Sequence, residues 1–143
     1  LEEGIDSTLV ILGNQVKNRV EIIKNYGNLP EILCYPGQLN QVFMNILANA
    51  ADAIEGEGEI YIKTWQQDQS VCISFRDTGK GMPEEVRAHI FEPFFTTKPV
   101  GKGTGLGMSI SFGIINTHNG TITVKSEPGT GTEFIISLPI HYS

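Results

Sequence analysis

The strongest constraint on the fold is a pair of hairpin patterns, one mid-chain and one at the end. "GEIYIKTW" and "SVCISFRD" flank a turn at residues 66–69, and "TITVKS" and "GTEFIISLP" flank Pro128 and Gly129. Alternating apolar residues belong to strands with one buried face, and tight turns join such strands antiparallel. Other segments follow the helical period instead. In residues 37–56, Leu39, Val42, Phe43, Ile46, Leu47, Ala50 and Ile54 form one apolar stripe. Ile5, Leu9, Leu12 and Val16 do the same near the start. "PEEVRAHIF" reads as a short helix with Pro83 at its tolerated first position, and "LGMSISFGIINTHNG" as a helix stopped by Asn119 and Gly120. "RVEIIKNY" and "EILCY" add two short strands joined through residues 27–30. Strand pairs segregated from helices predict an α+β fold. The expected form is a two-layer α/β sandwich: a mixed, mostly antiparallel sheet of about five strands with the helices on one face.

A chain of 143 residues, 40% hydrophobic, suits one domain with one core, so residues 1–143 are read as a single unit. The net charge of -6 argues against a general nucleic-acid surface, which needs a basic face. No apolar run approaches the ~20 residues of a membrane helix, so no direct membrane contact is expected. Cys34 and Cys72 share no metal-ligand spacing and read as buried free thiols in a reducing cytoplasm. With Leu1 in place of an initiator Met, the chain reads as a piece of a longer protein.

Three local features carry chemistry. The first is a polar stripe on the 37–56 helix: Gln38, Gln41, Asn45, Asn49 and Asp52 align at spacings of three and four. Asparagine is a poor helix former, and a solvated face is normally made of Glu, Lys and Arg. Neutral oxygen donors with one carboxylate suit a hard cation such as Mg²⁺. The second feature is Asp77, which continues the parity of Val71, Ile73 and Phe75 and so belongs at the core edge. An unpaired carboxylate there needs donors, such as a ligand amine. Gly79 and Gly81 follow and would let a flat ring approach the backbone. Thr132 shares the inward parity of Phe134, Ile136 and Leu138. An ordinary Asp-Thr-Gly turn between strand and helix, a common arrangement, is the alternative reading of this motif.

The third feature is "GKGTGLG", residues 101–107. The phosphate-loop pattern fails, because Gly103 stands where Ser or Thr is needed. The dinucleotide pattern fails too, because its last glycine falls on Leu106 or Met108. A flexible segment with Lys98 and Lys102, running into a helix start near Gly105, remains open to two readings. One is an anion site at the helix N-terminus; the other is a glycine-capped surface loop.

Taken in order, these features resemble the ATP-binding catalytic domain of bacterial sensor histidine kinases, whose Bergerat-type fold is shared with gyrase, mismatch-repair and heat-shock-chaperone ATPases. "NQVFMNILANAADAI" is similar to the family's asparagine box, "DTGKGM" to its first glycine box and "FEPFF" to its phenylalanine box. "GKGTGLG" is similar to its second glycine box, and "GTGTEF" to the closing one. The resemblance covers nearly the whole chain.

The resemblance implies ATP and Mg²⁺ as cofactors. Asn45 and Asn49 would be the catalytic pair, with Asn49 on Mg²⁺ and Asn45 beside the phosphates. Asp77 would bond the adenine amine, with Gly79, Gly81 and Thr132 around the ring. Residues 91–104 would form a lid bringing Lys98 and Lys102 to the phosphates. Gly103, Thr104, Gly105, Leu106 and Gly107 would meet them at the helix start. Asp52 departs from relatives that carry a basic residue there, and no phosphate contact is assigned to it.

Hydrolysing relatives carry a glutamate base at the position of Asn45, and an amide cannot take a proton at neutral pH. Transfer to an acceptor with its own nucleophile depends mostly on positioning and charge neutralisation. Asn45 thus favours a kinase over an ATPase. None of His89, His118 and His141 sits in an H-E-x-x-x-P phosphoacceptor pattern. The expected acceptor is a histidine on a separate, homodimeric helical hairpin, with a response regulator downstream, in two-component signalling. Alone, the chain is expected to be monomeric and cytoplasmic and not to phosphorylate itself. Two alternatives stand beside this: an ATP-hydrolysing domain of gyrase or chaperone type, and a non-catalytic nucleotide-binding regulatory module.

Overall fold

A computed structural model of the chain describes residues 1–92 and 107–140, with all of their side chains except those of 14–16. Its elements run α1 (Glu2–Val16), β1 (Val20–Asn25), α2 (Pro36–Ala53), β2 (Gly58–Gln67), β3 (Ser70–Asp77), α3 (Glu84–His89), α4 (Gly107–Thr117), β4 (Thr121–Glu127) and β5 (Gly131–Pro139). The strands form one sheet in the order β1-β2-β3-β5-β4. β1 pairs parallel to β2, and the other neighbours are antiparallel. Both expected hairpins form, and the sheet is mixed and mostly antiparallel.

The period-two pattern buries one sheet face under the helices. Ile60, Ile62, Ile73, Phe75, Phe134 and Ile136 are buried there, facing the α2 stripe of Leu39, Val42, Phe43, Ile46 and Leu47. The Phe43 and Phe75 rings meet with centroids 5.8 Å apart. α2 lies between α1 and α4, packed against both. The opposite sheet face carries cations over aromatic rings: Arg76 stands 4.4 Å from the Tyr61 ring centroid, and Lys63 stands 5.4 Å from that of Trp65.

One expected strand is absent. "EILCY" takes no regular structure, and the chain from Tyr26 to Tyr35 is irregular. Side chains capture its backbone donors in place of a ladder. Thr64 Oγ1 takes the Gly27 N–H, Glu2 takes that of Leu29, and His118 Nε2 takes that of Tyr35. The α2 helix then starts at Pro36 and ends at Ala53, short of the expected Gly56, because Ile54 turns extended. Arg19 receives this helix end, its guanidinium donating to the Ala51 and Ile54 carbonyls at 2.9 Å each. Orphan carbonyls at a helix C-terminus need such donors.

Candidate functional site

The register of the sheet assembles one end of the site. A single cross-strand row contains Ile60, Asp77, Thr132 and Ser126, from β2, β3, β5 and β4 in turn. Asp77 is 4% exposed and Thr132 6%. Both lie on the helix-covered face, as their parity predicts. Asp77 Oδ1 accepts the Gly79 N–H at 2.8 Å. Burial pushes the Asp77 carboxyl above the ordinary carboxylate range, while the backbone N–H groups of Gly79 and Thr132 pull against that shift. An ionised carboxylate offers about four lone-pair positions, so acceptor capacity remains for a ligand.

The loop after β3 is fastened on three sides. Thr78 N–H bonds the Glu59 carbonyl at 3.1 Å, and Lys80 N–H bonds that of Ala53 at the end of α2 at 3.0 Å. The Lys80 carbonyl accepts the Gly129 N–H at 2.7 Å. The glycines of this loop are required by the protein's own backbone. A Cβ on Gly79 would stand 2.6 Å from the Ala53 carbonyl oxygen. Gly81 has φ +70, and a Cβ there would collide with the Glu127 carbonyl. A glycine expected to admit a flat ring thus already has a packing reason to be glycine.

The other end of the site lies where α2 meets α4. Asn45 Nδ2 donates to the Gly107 carbonyl and to Ser111 Oγ, both at 3.0 Å, and Ser111 Oγ also donates to Gly107 at 2.9 Å. Asn45 and Asn49 are half-buried, whereas Gln38, Gln41 and Asp52 are exposed. The polar stripe is therefore a solvated face at its ends and a partly covered one in its middle. Among the described residues no three His, Cys, Asp or Glu side chains gather as a metal cluster. Amide oxygens of the stripe are the donors that remain for a hard cation.

Phe91 links the two ends, its ring 5.3 Å from that of Phe112 on α4 and 6.3 Å from that of Phe134 on β5. Lys98, Lys102, Gly103, Thr104, Gly105 and Leu106 lie outside the described residues, as does the expected lid beyond Glu92. Of the histidines, His89 is exposed and paired with Glu92, and His141 lies outside the described residues. His118 is buried, with Nδ1 bonded to the Ile114 carbonyl and Nε2 accepting from Tyr35.

Sequence reasoning missed two residues. Ser111 is fully buried and follows Met108 and precedes Ile115 at core spacing. Ser126 shares the inward parity of Ile122 and Val124 on β4. The pattern placed both inward, but a serine at an inward position announces no role by itself.

Comparison with known proteins gives consistent matches. A family model described as "Histidine kinase-, DNA gyrase B-, and HSP90-like ATPase" matches residues 34–142. Sporulation kinase E of Bacillus subtilis is 46% identical over 114 residues, which is 79% of this chain and 15% of that protein. Signal transduction histidine-protein kinase AtoS of Escherichia coli is 44% identical over 140 residues, which is 96% of this chain and 23% of that protein. The chain therefore spans less than a quarter of the length of either relative. Among solved structures, the nucleotide-free catalytic domain of histidine kinase ThkA superposes with a TM-score of 0.86 at 31% identity, covering 98% of this chain and 92% of that one. ThkA is also known in complex with response regulator protein TrrA, where the match has a TM-score of 0.82 at 28% identity, covering 99% of this chain and 40% of that one.

Proposed function

Because this chain belongs to the histidine kinase-, DNA gyrase B- and HSP90-like ATPase family, we propose that it binds Mg-ATP and donates the γ-phosphoryl group to a histidine on a separate helical domain. The observation that carries this reading is the buried Asp77, placed beside Thr132 by the ladder. A carboxylate that deep is costly without a donor ligand, and the adenine amine is such a donor. The Asn45 and Asn49 amides fit a hard cation, with Asn49 as its ligand. Mg²⁺, when bound, would neutralise charge on the phosphates. Asn45 holds the start of α4 in place and would stand beside the phosphates, and Lys98, Lys102 and residues 103–107 would supply the remaining phosphate contacts.

Transfer is favoured over hydrolysis by the chemistry of Asn45. Its NH₂ group faces α4 as a donor, and an amide does not deprotonate water. The acceptor histidine must then come from outside this chain, on a dimeric hairpin, with a response regulator receiving the phosphoryl group afterwards. The complex of ThkA with TrrA supports that partner. The test supplies Mg-ATP, this chain and a dimeric phosphoacceptor hairpin from a sensor kinase relative. Acid-labile phosphohistidine on the hairpin is expected, and none on the chain alone. Steady phosphate release by the chain alone would favour the hydrolytic alternative. Tight ATP binding with no transfer to the hairpin would favour the regulatory-module alternative.

A further inference from the structure

Ser126 is half-buried on β4, in the same cross-strand row as Thr132 and Asp77. Its hydroxyl meets three partners. The Met82 N–H donates to Oγ at 2.8 Å, Oγ donates to the Gly131 carbonyl at 3.0 Å, and Thr132 Oγ1 lies 2.8 Å away. A serine hydroxyl has one proton and two lone pairs. The proton points to Gly131 and one lone pair receives Met82, so the second lone pair faces Thr132. Thr132 is therefore the donor in that contact, and its one proton is engaged there. To anything else it presents lone pairs only. Directly across the ladder, ionised Asp77 is an acceptor too. The end of the sheet thus offers two acceptors side by side, and a ligand edge that faces them must carry donors.

We propose that Ser126 is a specificity-determining positioning residue: by holding the Thr132 hydroxyl as an acceptor, it selects a 6-amino purine over a 6-oxo purine. The inference rests on the nucleotide-binding reading above and deepens it. The two protons of a 6-amine can serve both acceptors, whereas a 6-oxo purine puts a carbonyl oxygen there and keeps its donor at N1, so acceptor would face acceptor at the 6-position and buried polar groups would go unpaired. Without the Ser126 hydroxyl, Thr132 is free to turn its proton toward such a carbonyl.

The experiment measures ATP and ITP affinities for this chain by competition against a fluorescent ATP analogue. ITP differs from ATP in carrying a 6-oxo group in place of the amine and a proton on N1. Ser126→Ala is expected to lower the ATP-to-ITP preference between about two- and tenfold, the range of one hydrogen bond. Ser126→Thr, which keeps the hydroxyl, is expected to retain the preference. In a Thr132→Val background, Ser126→Ala is expected to leave the ratio unchanged. A purely structural role would weaken both nucleotides alike, and an unchanged ratio in Ser126→Ala overturns the proposal. An equal change of ratio in the Thr132→Val background overturns it as well. If the unaltered chain binds ATP and ITP equally, Ser126 selects nothing and the proposal falls while nucleotide binding stands. If it binds neither, the nucleotide reading itself falls.

Discussion

Around Asp77 the site is made by a sheet; around Asn45 it is made by two helices. At the sheet end, ladder register fixes Asp77 beside Thr132 and Thr132 beside Ser126. Backbone bonds from Lys80 and Gly129 and the Met82 bond to Ser126 then fasten the loop that follows. At the helix end, the amide of Asn45 ties the α4 start to α2, with Ser111 beside it. The contrast suits the two tasks. A flat base of fixed shape is read by groups that do not move. A phosphate chain that must be enclosed and then released is better served by side chains on two packed helices than by a hydrogen-bonded ladder.

The largest effect expected from breaking the rigid end is on folding. Gly81→Ala places an L-residue at positive φ and drives its Cβ into the Glu127 carbonyl. A stability loss of about 3 kcal/mol is expected, read from the urea midpoint. A loss near zero would mean that the loop is not fastened and would erase the contrast.

Asp77→Asn comes next. It keeps the shape and an acceptor for the Gly79 N–H but removes the charge. Binding of both ATP and adenosine should weaken by about 2 kcal/mol, the worth of a hydrogen bond to a charged group, by calorimetry. Unchanged adenosine affinity would break the adenine assignment. Asn45→Ala should act at the other end only. About 1 kcal/mol of ATP affinity is expected to go, with adenosine binding unmoved. Equal losses for both ligands would show that the two ends are not separable.

The smallest effect is the pH dependence. Burial raises the folded pKa of Asp77 above its unfolded value. Its contribution to stability is thus present in full below the unfolded pKa and is lost as pH rises through the folded one. ATP binding through the ionised carboxylate runs the opposite way and falls as pH drops through the folded pKa. Calorimetric titration from neutral into mildly acid buffer should show ATP affinity falling before ordinary carboxylates protonate. Asp77→Asn should flatten that limb, whereas Asn45→Ala should retain it.

Period-two alternation in residues 58–77 and 121–139 was enough to place Asp77 and Thr132 inward, because strand parity is a local property. The α2 stripe was equally legible, because helical spacing is local too. "EILCY" was not, because His118 takes the Tyr35 N–H, and Thr64 and Glu2 take those of Gly27 and Leu29 just before it, all from distant parts of the chain. Apolar residues without a ladder partner do not make a strand. Gly79 and Gly81 were visible as glycines, but their packing reason depends on Ala53 and Glu127, which sequence distance conceals.

By itself the sequence determined the α+β class, the two hairpins, the inward face of each strand and the order of the chemical features. Each of these depends on residues within one or two turns or pleats of one another. The tertiary structure alone decided that Asn45 spans to Gly107 and Ser111, that Arg19 closes α2, and that the Ser126 and Thr132 hydroxyls meet. Those are hydrogen bonds across elements, and a hydroxyl or amide acquires its direction only when the opposite partner is brought within reach.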